Sequence, residues 1–408
     1  MTRMNNQNSR TQRQSKSTAG AIFGALAMIV AFIIARCGGG GGETPTYPMR
    51  TPSTMPPTSI VATATPMLTP GNPVAHFVYP RALGASSGFW EVFFTSPDGS
   101  SDTTTYTGGL DEILASEIDA VTNTLDIVAY EFNSPALTAA VQRALARGVR
   151  VRIVTDNEDG IGDSNTTLHQ LQGAQIVADT RSALMHNKFM ILDGITVWTG
   201  SWNYTINDTY RNNNNAIALR SQRLVANYQT EFDEMFLRGE FGPRSTSNTP
   251  NVQFVQDGVR IATYFAPEDD VLGAVTALVG SAQNSIRFMT FSYTLEPLGD
   301  AMLNRAAAGV DIQGIFERTG SETIYSRMTP LFCAGVPVRQ DGNRYILHHK
   351  VIVIDRSIVI IGSFNFSNNA ATSNDENLLI VQDANLAAQY LAEFDRRWAE
   401  ALVPNVAC

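Results

Sequence analysis

The run His348-His349-Lys350-Val351-Ile352-Val353-Ile354-Asp355, with Gly362-Ser363-Phe364-Asn365 behind it, decides how this chain is read. An earlier stretch matches it: His186-Asn187-Lys188-Phe189-Met190-Ile191-Leu192-Asp193, then Gly200-Ser201-Trp202-Asn203. Both read H-x-K-x4-D followed by G-S-x-N. The interval from His186 to Ser201 equals that from His348 to Ser363, so the second copy repeats the first without insertion or deletion. A chain with five histidines thus places two of them at matching points in matching contexts. Self-similarity at a fixed offset marks a repeated structural unit.

The frame around the motif repeats as well. Residues 123–130 (NTLDIVAY) lie over 284–291 (NSIRFMTF), each a buried strand by composition. Residues 136–148 lie over 297–309, each an amphipathic helix closed by glycine, and 149–154 over 310–315, a second strand. Upstream, 92–97 resembles 263–267, each followed by a helix candidate (110–121 and 271–282). Strands joined by helices predict an α/β fold of two homologous βαβ-type halves. Each half is expected to be a mixed, mostly parallel sheet flanked by helices, with a pseudo-twofold axis and the active site between them. The halves are assigned to 76–245 and 250–408, with a linker near 241–251. Within each motif, H-x-K leads a strand, Asp-Gly or Asp-Arg-Ser turns it, and a second strand returns.

The rest of the chain bounds the setting. At 44% hydrophobic and 16% charged, 408 residues suffice for a large core. Five of the 29 basic residues and none of the 38 acidic ones fall in residues 1–42, so residues 43–408 carry a net −14. Such an acidic body argues against tight non-specific nucleic-acid binding. Residues 1–18 form a basic segment expected to stay cytoplasmic, and 19–36 an apolar signal or anchor. Residues 37–75 hold five glycines after Cys37, then a Thr/Pro-rich tether. The body is therefore expected outside the cytoplasm, tethered as a lipoprotein acylated at Cys37 or through an uncleaved apolar helix. Plain secretion is the remaining reading, and Arg36 stands where an acylation signal has a small residue. Cys333 and Cys408 either pair, tying the C-terminus to the second half, or stay as a buried and a terminal thiol.

The motif residues suit an anionic substrate. A neutral imidazole can attack a phosphodiester, and a protonated one can supply a proton to the departing oxygen. One histidine cannot hold both states, but His186 and His348 together can. Lys188, Lys350, Asn203 and Asn365 would hold the non-bridging oxygens, without need of a metal or cofactor. The acidic stretch 156–163 does not fit a calcium loop and is expected to rim the mouth. Trp202, Phe364 and His349 are expected to pack, and His76 and His169 to lie at the surface.

Taken together, the doubled motif and its frame resemble the phospholipase D superfamily over about residues 85–400. The resemblance implies a metal-independent phosphodiesterase working through a covalent phosphohistidine. It makes His186 and His348 nucleophile and general acid, with His186 preferred as nucleophile. Ser201 and Ser363 would hydrogen-bond within the site, and Asp193 and Asp355 would be structural supports. The family also carries an acid after each G-S-x-N that orients a motif histidine. Glu376 fits this, whereas the matching residue in the first half is Asn214, so the two imidazoles are expected to be electrostatically unequal. The expected substrate is a phospholipid at a membrane surface, cut at its headgroup. The alternatives are a compact exported nuclease acting on nucleic acid and an inactive binding module. With both motifs in one chain, a monomer without an obligate protein partner is expected.

Overall fold

Eight strands of each half assemble in the same spatial order, and the first half adds a ninth at its edge. The computed structural model describes residues 73–408; the basic segment, the apolar run, Cys37 and most of the tether lie outside the described residues. Both halves belong to one compact unit. Among the described residues no helix is long and apolar enough to cross a membrane.

In chain order the first sheet contains β1 (Ala75–Tyr79), β2 (Ala82–Ser87), β3 (Trp90–Thr95), β4 (Thr124–Ala129), β5 (Arg150–Thr155), β6 (Gln175–Ala178), β7 (Phe189–Leu192), β8 (Thr196–Gly200) and β9 (Asn215–Arg220). Its spatial order is β1-β2-β3-β9-β8-β7-β4-β5-β6. The second contains β10 (Gln253–Gln256), β11 (Val259–Ala266), β12 (Ser285–Thr290), β13 (Asp311–Phe316), β14 (Val338–Gln340), β15 (Lys350–Ile354), β16 (Ile358–Gly362) and β17 (Glu376–Gln382). Its order is β10-β11-β17-β16-β15-β12-β13-β14.

The two helix-flanked mixed sheets match the expected fold class, but the expectation that they are mostly parallel does not hold. Only β4-β5-β6 and β12-β13-β14 run parallel; every other pairing is antiparallel. The physical reason lies in the connections. Helices Pro135–Ala146 and Glu296–Ala307 cross between parallel neighbours, whereas β7-β8 and β15-β16 are tight hairpins that force reversal. The sequence pattern also gives no sign of β1, β2 or β10; β2 and β10 correspond, and β1 is the strand without a counterpart in the second half.

Local chemistry sets the elements. Ser134 caps Pro135–Ala146 by accepting from the Leu137 N–H, proline occupies the first turn, and Gly148 beyond its end is left-handed, at φ 87°. Ser221 and Asp383 cap the long helices Gln222–Asp233 and Ala384–Glu400 in the same way. These two helices make the duplication into one body. Tyr228 on the first packs edge-on against Phe265 of the other half, and Tyr390 on the second against Phe94, with centroids 5.2 and 5.1 Å apart. The central core therefore draws on both halves, including Val128, Phe189, Met289 and Val351. Each half keeps a separate outer core beneath its own helix pair.

Cys333 and Cys408 form a disulfide, which ties the C-terminus to the second half across 75 residues.

Candidate active site

Both histidines of the motif sit at the seam of the two halves. The His186 N–H donates to the carbonyl of Asp375, 2.9 Å away, and the His348 N–H to the carbonyl of Asn213 at 2.8 Å. Each histidine is thus strung onto the opposite half by its own backbone. The sequence pattern suggested a strand from Lys188, but in the first half Lys188 stands just ahead of β7, which begins at Phe189, whereas Lys350 opens β15 in the second. Lys188 Nζ turns back to donate to the His186 carbonyl at 2.9 Å, and Lys350 Nζ to the His348 carbonyl at 2.8 Å. All four side chains are at least nine-tenths buried.

The glycine of G-S-x-N explains how the next residues reach the same place. Gly200 and Gly362 have φ of 146° and 148°, and a Cβ there would stand 2.4 and 2.2 Å from the carbonyl oxygens of Asn215 and Asn377. Only glycine lets β8 and β16 end that close to β9 and β17. The chain then delivers Ser201 and Asn203, or Ser363 and Asn365, into the seam. Asn203 and Asn365 are buried, each with a side-chain Oδ1 that lacks a hydrogen-bond partner. These oxygens are acceptors, suited to a proton-bearing group, while the Nδ2 groups of the same amides are the donors that could serve an anion.

Support of the imidazoles is crossed and unequal. Nδ1 of His186 lies 2.7 Å from Oε2 of Glu376, in the other half. Glu376 also accepts from Ser363 Oγ at 2.6 Å and Asn374 Nδ2 at 3.2 Å. Nδ1 of His348 lies 3.0 Å from Oδ1 of Asn214, again in the other half. Asn214 donates its Nδ2 to the Asp208 carbonyl at 3.2 Å and accepts from Ser201 Oγ at 2.9 Å, which fixes its oxygen toward the ring. Both arrangements place the ring proton on Nδ1 and leave Nε2 for chemistry. Tyr130 meets His186 edge-on and Phe291 meets His348 likewise, both with centroids 4.9 Å apart. The same rings lie under the ammoniums, Lys188 Nζ at 4.9 Å from Tyr130 and Lys350 Nζ at 4.7 Å from Phe291.

With cations concentrated in a dry site, protons are held weakly. Burial and the neighbouring ammoniums push both imidazoles well below their ordinary range. Burial lowers Lys188 to about 8, and burial together with Lys188 takes Lys350 well below the usual lysine value. Burial raises Glu376 to about 7, against the pull of Lys188 and its hydrogen bonds. An incoming phosphate would supply the negative charge that this site is short of, and so favour protonation of the groups around it.

The motif aspartates stand elsewhere. Asp193 accepts from the N–H groups of Thr122, Asn123 and Thr124 at 2.7–2.9 Å. Asp355 does the same for Gln283, Asn284 and Ser285, over the same distances. Both sit in the hairpin turn in left-handed conformation, φ 50° and 48°, and pin the start of β4 or β12. Trp202 and Phe364 are core residues, and His76 and His169 are exposed. His349 is buried in a second polar layer below the site, between Asn215 Nδ2 at 2.9 Å and Glu393 Oε1 at 3.2 Å. Asn187 takes the equivalent place in the first half, between Glu231 and Asn377. The 156–163 loop does border the site: Asp156 accepts from the Met185 N–H, and Asp159 from the Tyr130 hydroxyl at 2.6 Å.

Sequence reasoning passed over Asp208, Tyr130 and Phe291. The last two were legible, since both end the overlaid strands 123–130 and 284–291. Among the described residues no cluster of three His, Cys, Asp or Glu is arranged to hold a metal.

Comparison with known proteins agrees with this architecture. The family described as "Cardiolipin synthase, PLD-like domain" matches residues 114–236 and 275–398, one stretch per half. The chain is 33% identical to a mitochondrial cardiolipin hydrolase of Xenopus tropicalis over 132 residues, which is 32% of this chain and 63% of that one. It is 31% identical to a phospholipase D of Rickettsia conorii over 140 residues, 34% of this chain and 70% of that one. The chain spans between about half and two-thirds of the length of the cardiolipin hydrolases it matches. A phosphatidylserine synthase of Haemophilus influenzae shares the fold at TM-score 0.58 and 13% identity, over 73% of this chain and 86% of that one. With both halves matched and both motifs intact, this chain belongs to the phospholipase D-like domain family.

Proposed function

We propose that the chain is a metal-independent phosphodiesterase that removes the headgroup from a phospholipid through a covalent phosphohistidine. The crossed pairing of two imidazoles at one seam carries this reading. Neutral His186 attacks phosphorus through Nε2 as the bond from phosphorus to the leaving alcohol breaks. Protonated His348 gives its Nε2 proton to the departing oxygen. Water then attacks the phosphohistidine and passes a proton to the now neutral His348. The phosphorus–nitrogen bond breaks, a phosphate monoester leaves, and His186 is restored. Lys188, Lys350 and the amides of Asn203 and Asn365 hold the non-bridging oxygens.

Three observations favour a lipid. The relatives above are named for phospholipids. The body is acidic, which disfavours a nucleic acid. The segment after β13 exposes Ile324 (91%) and Tyr325 (55%) beside each other. Gly320, which precedes these residues, packs beside the backbone of Phe291, since a Cβ on it would stand 3.7 Å from the Phe291 carbonyl. An exposed isoleucine and tyrosine side by side suit a membrane interface. We further propose that the enzyme works as a monomer outside the cytoplasm, held at a membrane by its 19–36 run or by acylated Cys37. The full chain should be offered phosphatidylcholine vesicles and single-stranded DNA in parallel, in EDTA. Headgroup release without nicking supports the reading. Nicking alone makes it a nuclease, and loss of all activity in EDTA contradicts the metal-free route.

A further inference from the structure

The superposed halves differ in where they keep one carboxylate. Laying His186 on His348 carries Asn203 onto Asn365, Asp208 onto Ala370, Asn212 onto Asn374 and Asn214 onto Glu376. The second half therefore has its acid at 376 and none at 370, while the first has its acid at 208 and an amide at 214. The asparagine that serves the acid follows it. Asn374 Nδ2 donates to Glu376, and Asn212 Nδ2 donates to Asp208.

Asp208 is buried in the short helix Ile206–Tyr210, with its N–H bonded to Thr205 Oγ1. Its Oδ2 accepts from the Asn203 N–H at 2.9 Å and lies 3.7 Å from Nδ1 of His348. Its backbone carbonyl holds the amide of Asn214, whose oxygen takes the His348 Nδ1–H. The residue thus bears on His348 both through Asn214 and directly through its charge.

We infer that Asp208 is the counterion of the His348 imidazolium, standing in for the carboxylate that position 214 lacks. It is a positioning residue, since it reaches substrate only through His348 and the Asn203 loop. The other charges facing His348 oppose its protonation: Lys350, Lys188, His186 and His349 when charged. Asp208 is on the opposite side of that balance, and its charge is also felt by both lysines and by Glu131. Without it, His348 would be a weaker holder of the proton it must deliver. The inference rests on the division of roles proposed above.

The test uses the full chain labelled with 15N-histidine, whose five histidines give few signals, with His348 assigned by loss of its resonances in His348→Gln. In Asp208→Asn the pH at which His348 charges is expected to fall. In the double variant Asp208→Ala/Asn214→Glu, which moves the acid to the position it occupies in the other half, it is expected to return to or exceed the wild-type value. An unmoved titration in a folded Asp208→Asn overturns the inference. If that variant does not fold, because Asp208 also holds the Asn203 loop, the double variant decides alone: titration below wild type overturns the inference.

A kinetic arm separates this inference from the role of His348. Asp208→Asn should slow cleavage of phosphatidylcholine by about tenfold or more, because its alcohol needs a proton to leave. Release of p-nitrophenol from methyl p-nitrophenyl phosphate should change far less. A titration shift without this leaving-group dependence supports Asp208 as counterion and overturns His348 as the acid. If the wild-type chain cleaves neither probe, the proposed function fails and the titration still decides the inference.

Discussion

Replacing Glu376 with glutamine removes one charge and keeps the shape of the side chain. In the wild type the carboxylate accepts three hydrogen bonds, from His186 Nδ1 at 2.7 Å, Ser363 Oγ at 2.6 Å and Asn374 Nδ2 at 3.2 Å. Glutamine offers one oxygen and turns an NH2 group toward one of these donors. In the proposed mechanism positive charge develops on His186 as the bond to phosphorus forms, and the carboxylate is the group placed to offset it. A hydrogen bond to a charged group is worth about 1.5–3 kcal/mol. Its loss should therefore lower kcat/KM by about 10- to 150-fold. The pH dependence has a definite sign. A carboxylate strengthens the basicity of the imidazole it faces, so removing it lowers the pH at which His186 becomes charged. Because attack requires the neutral ring, the acidic limb of the profile should move to lower pH. The assay is kcat/KM against pH with methyl p-nitrophenyl phosphate, with a melting curve to show that the variant is folded. A rate within about threefold of wild type, together with an unmoved acidic limb, would refute the reasoning.

Phosphate binding should take up protons at neutral pH, because an anion raises the proton affinity of Lys188, now near 8, and of the depressed Lys350 and imidazoles. Calorimetry in buffers of different ionisation enthalpy measures this, and binding should weaken as pH rises through about 8. Asp193→Ala and Asp355→Ala should each cost about 1–2 kcal/mol of stability, as caps of backbone N–H groups do, with kcat nearly unchanged; denaturant melts paired with kinetics check both. Breaking the Cys333–Cys408 bond frees a 75-residue loop, worth about 4–5 kcal/mol by chain entropy. Reduction, or Cys333→Ser with Cys408→Ser, should therefore lower the melting temperature by several degrees while leaving vesicle hydrolysis intact below it.

Much of this molecule was legible because duplication turns a weak local pattern into a strong one. Spacing alone placed His186 with Lys188 and His348 with Lys350, and the overlay of 123–154 on 284–315 located the helix-linked strands. That Asp193 and Asp355 are structural was expected from their place in a turn, but the backbone N–H groups they cap were not foreseen. Strand direction was legible only where strands are consecutive: the Asp-Gly and Asp-Arg-Ser turns mark β7-β8 and β15-β16 as antiparallel, but the antiparallel pairings of β4 with β7 and of β3 with β9 join strands far apart in the chain, which periodicity does not order. The sequence also showed that Glu376 and Asn214 differ, but not which histidine each serves. That depends on the Asp375–His186 and Asn213–His348 backbone bonds, which join positions far apart in the chain and on opposite halves. Asp208 escaped notice for a related reason. It lies beyond Asn203, outside the motif, and becomes meaningful only once the short helix carries it to His348.

The most direct test is to trap the intermediate. Full-length protein is mixed with 32P-labelled lipid, quenched in alkali, which preserves phosphohistidine, and digested for mass spectrometry. The expected result is label on His186, gone in His186→Asn. Label on His348 would reverse the assigned roles, and steady turnover with no labelled histidine and inversion at phosphorus would contradict the two-step route altogether.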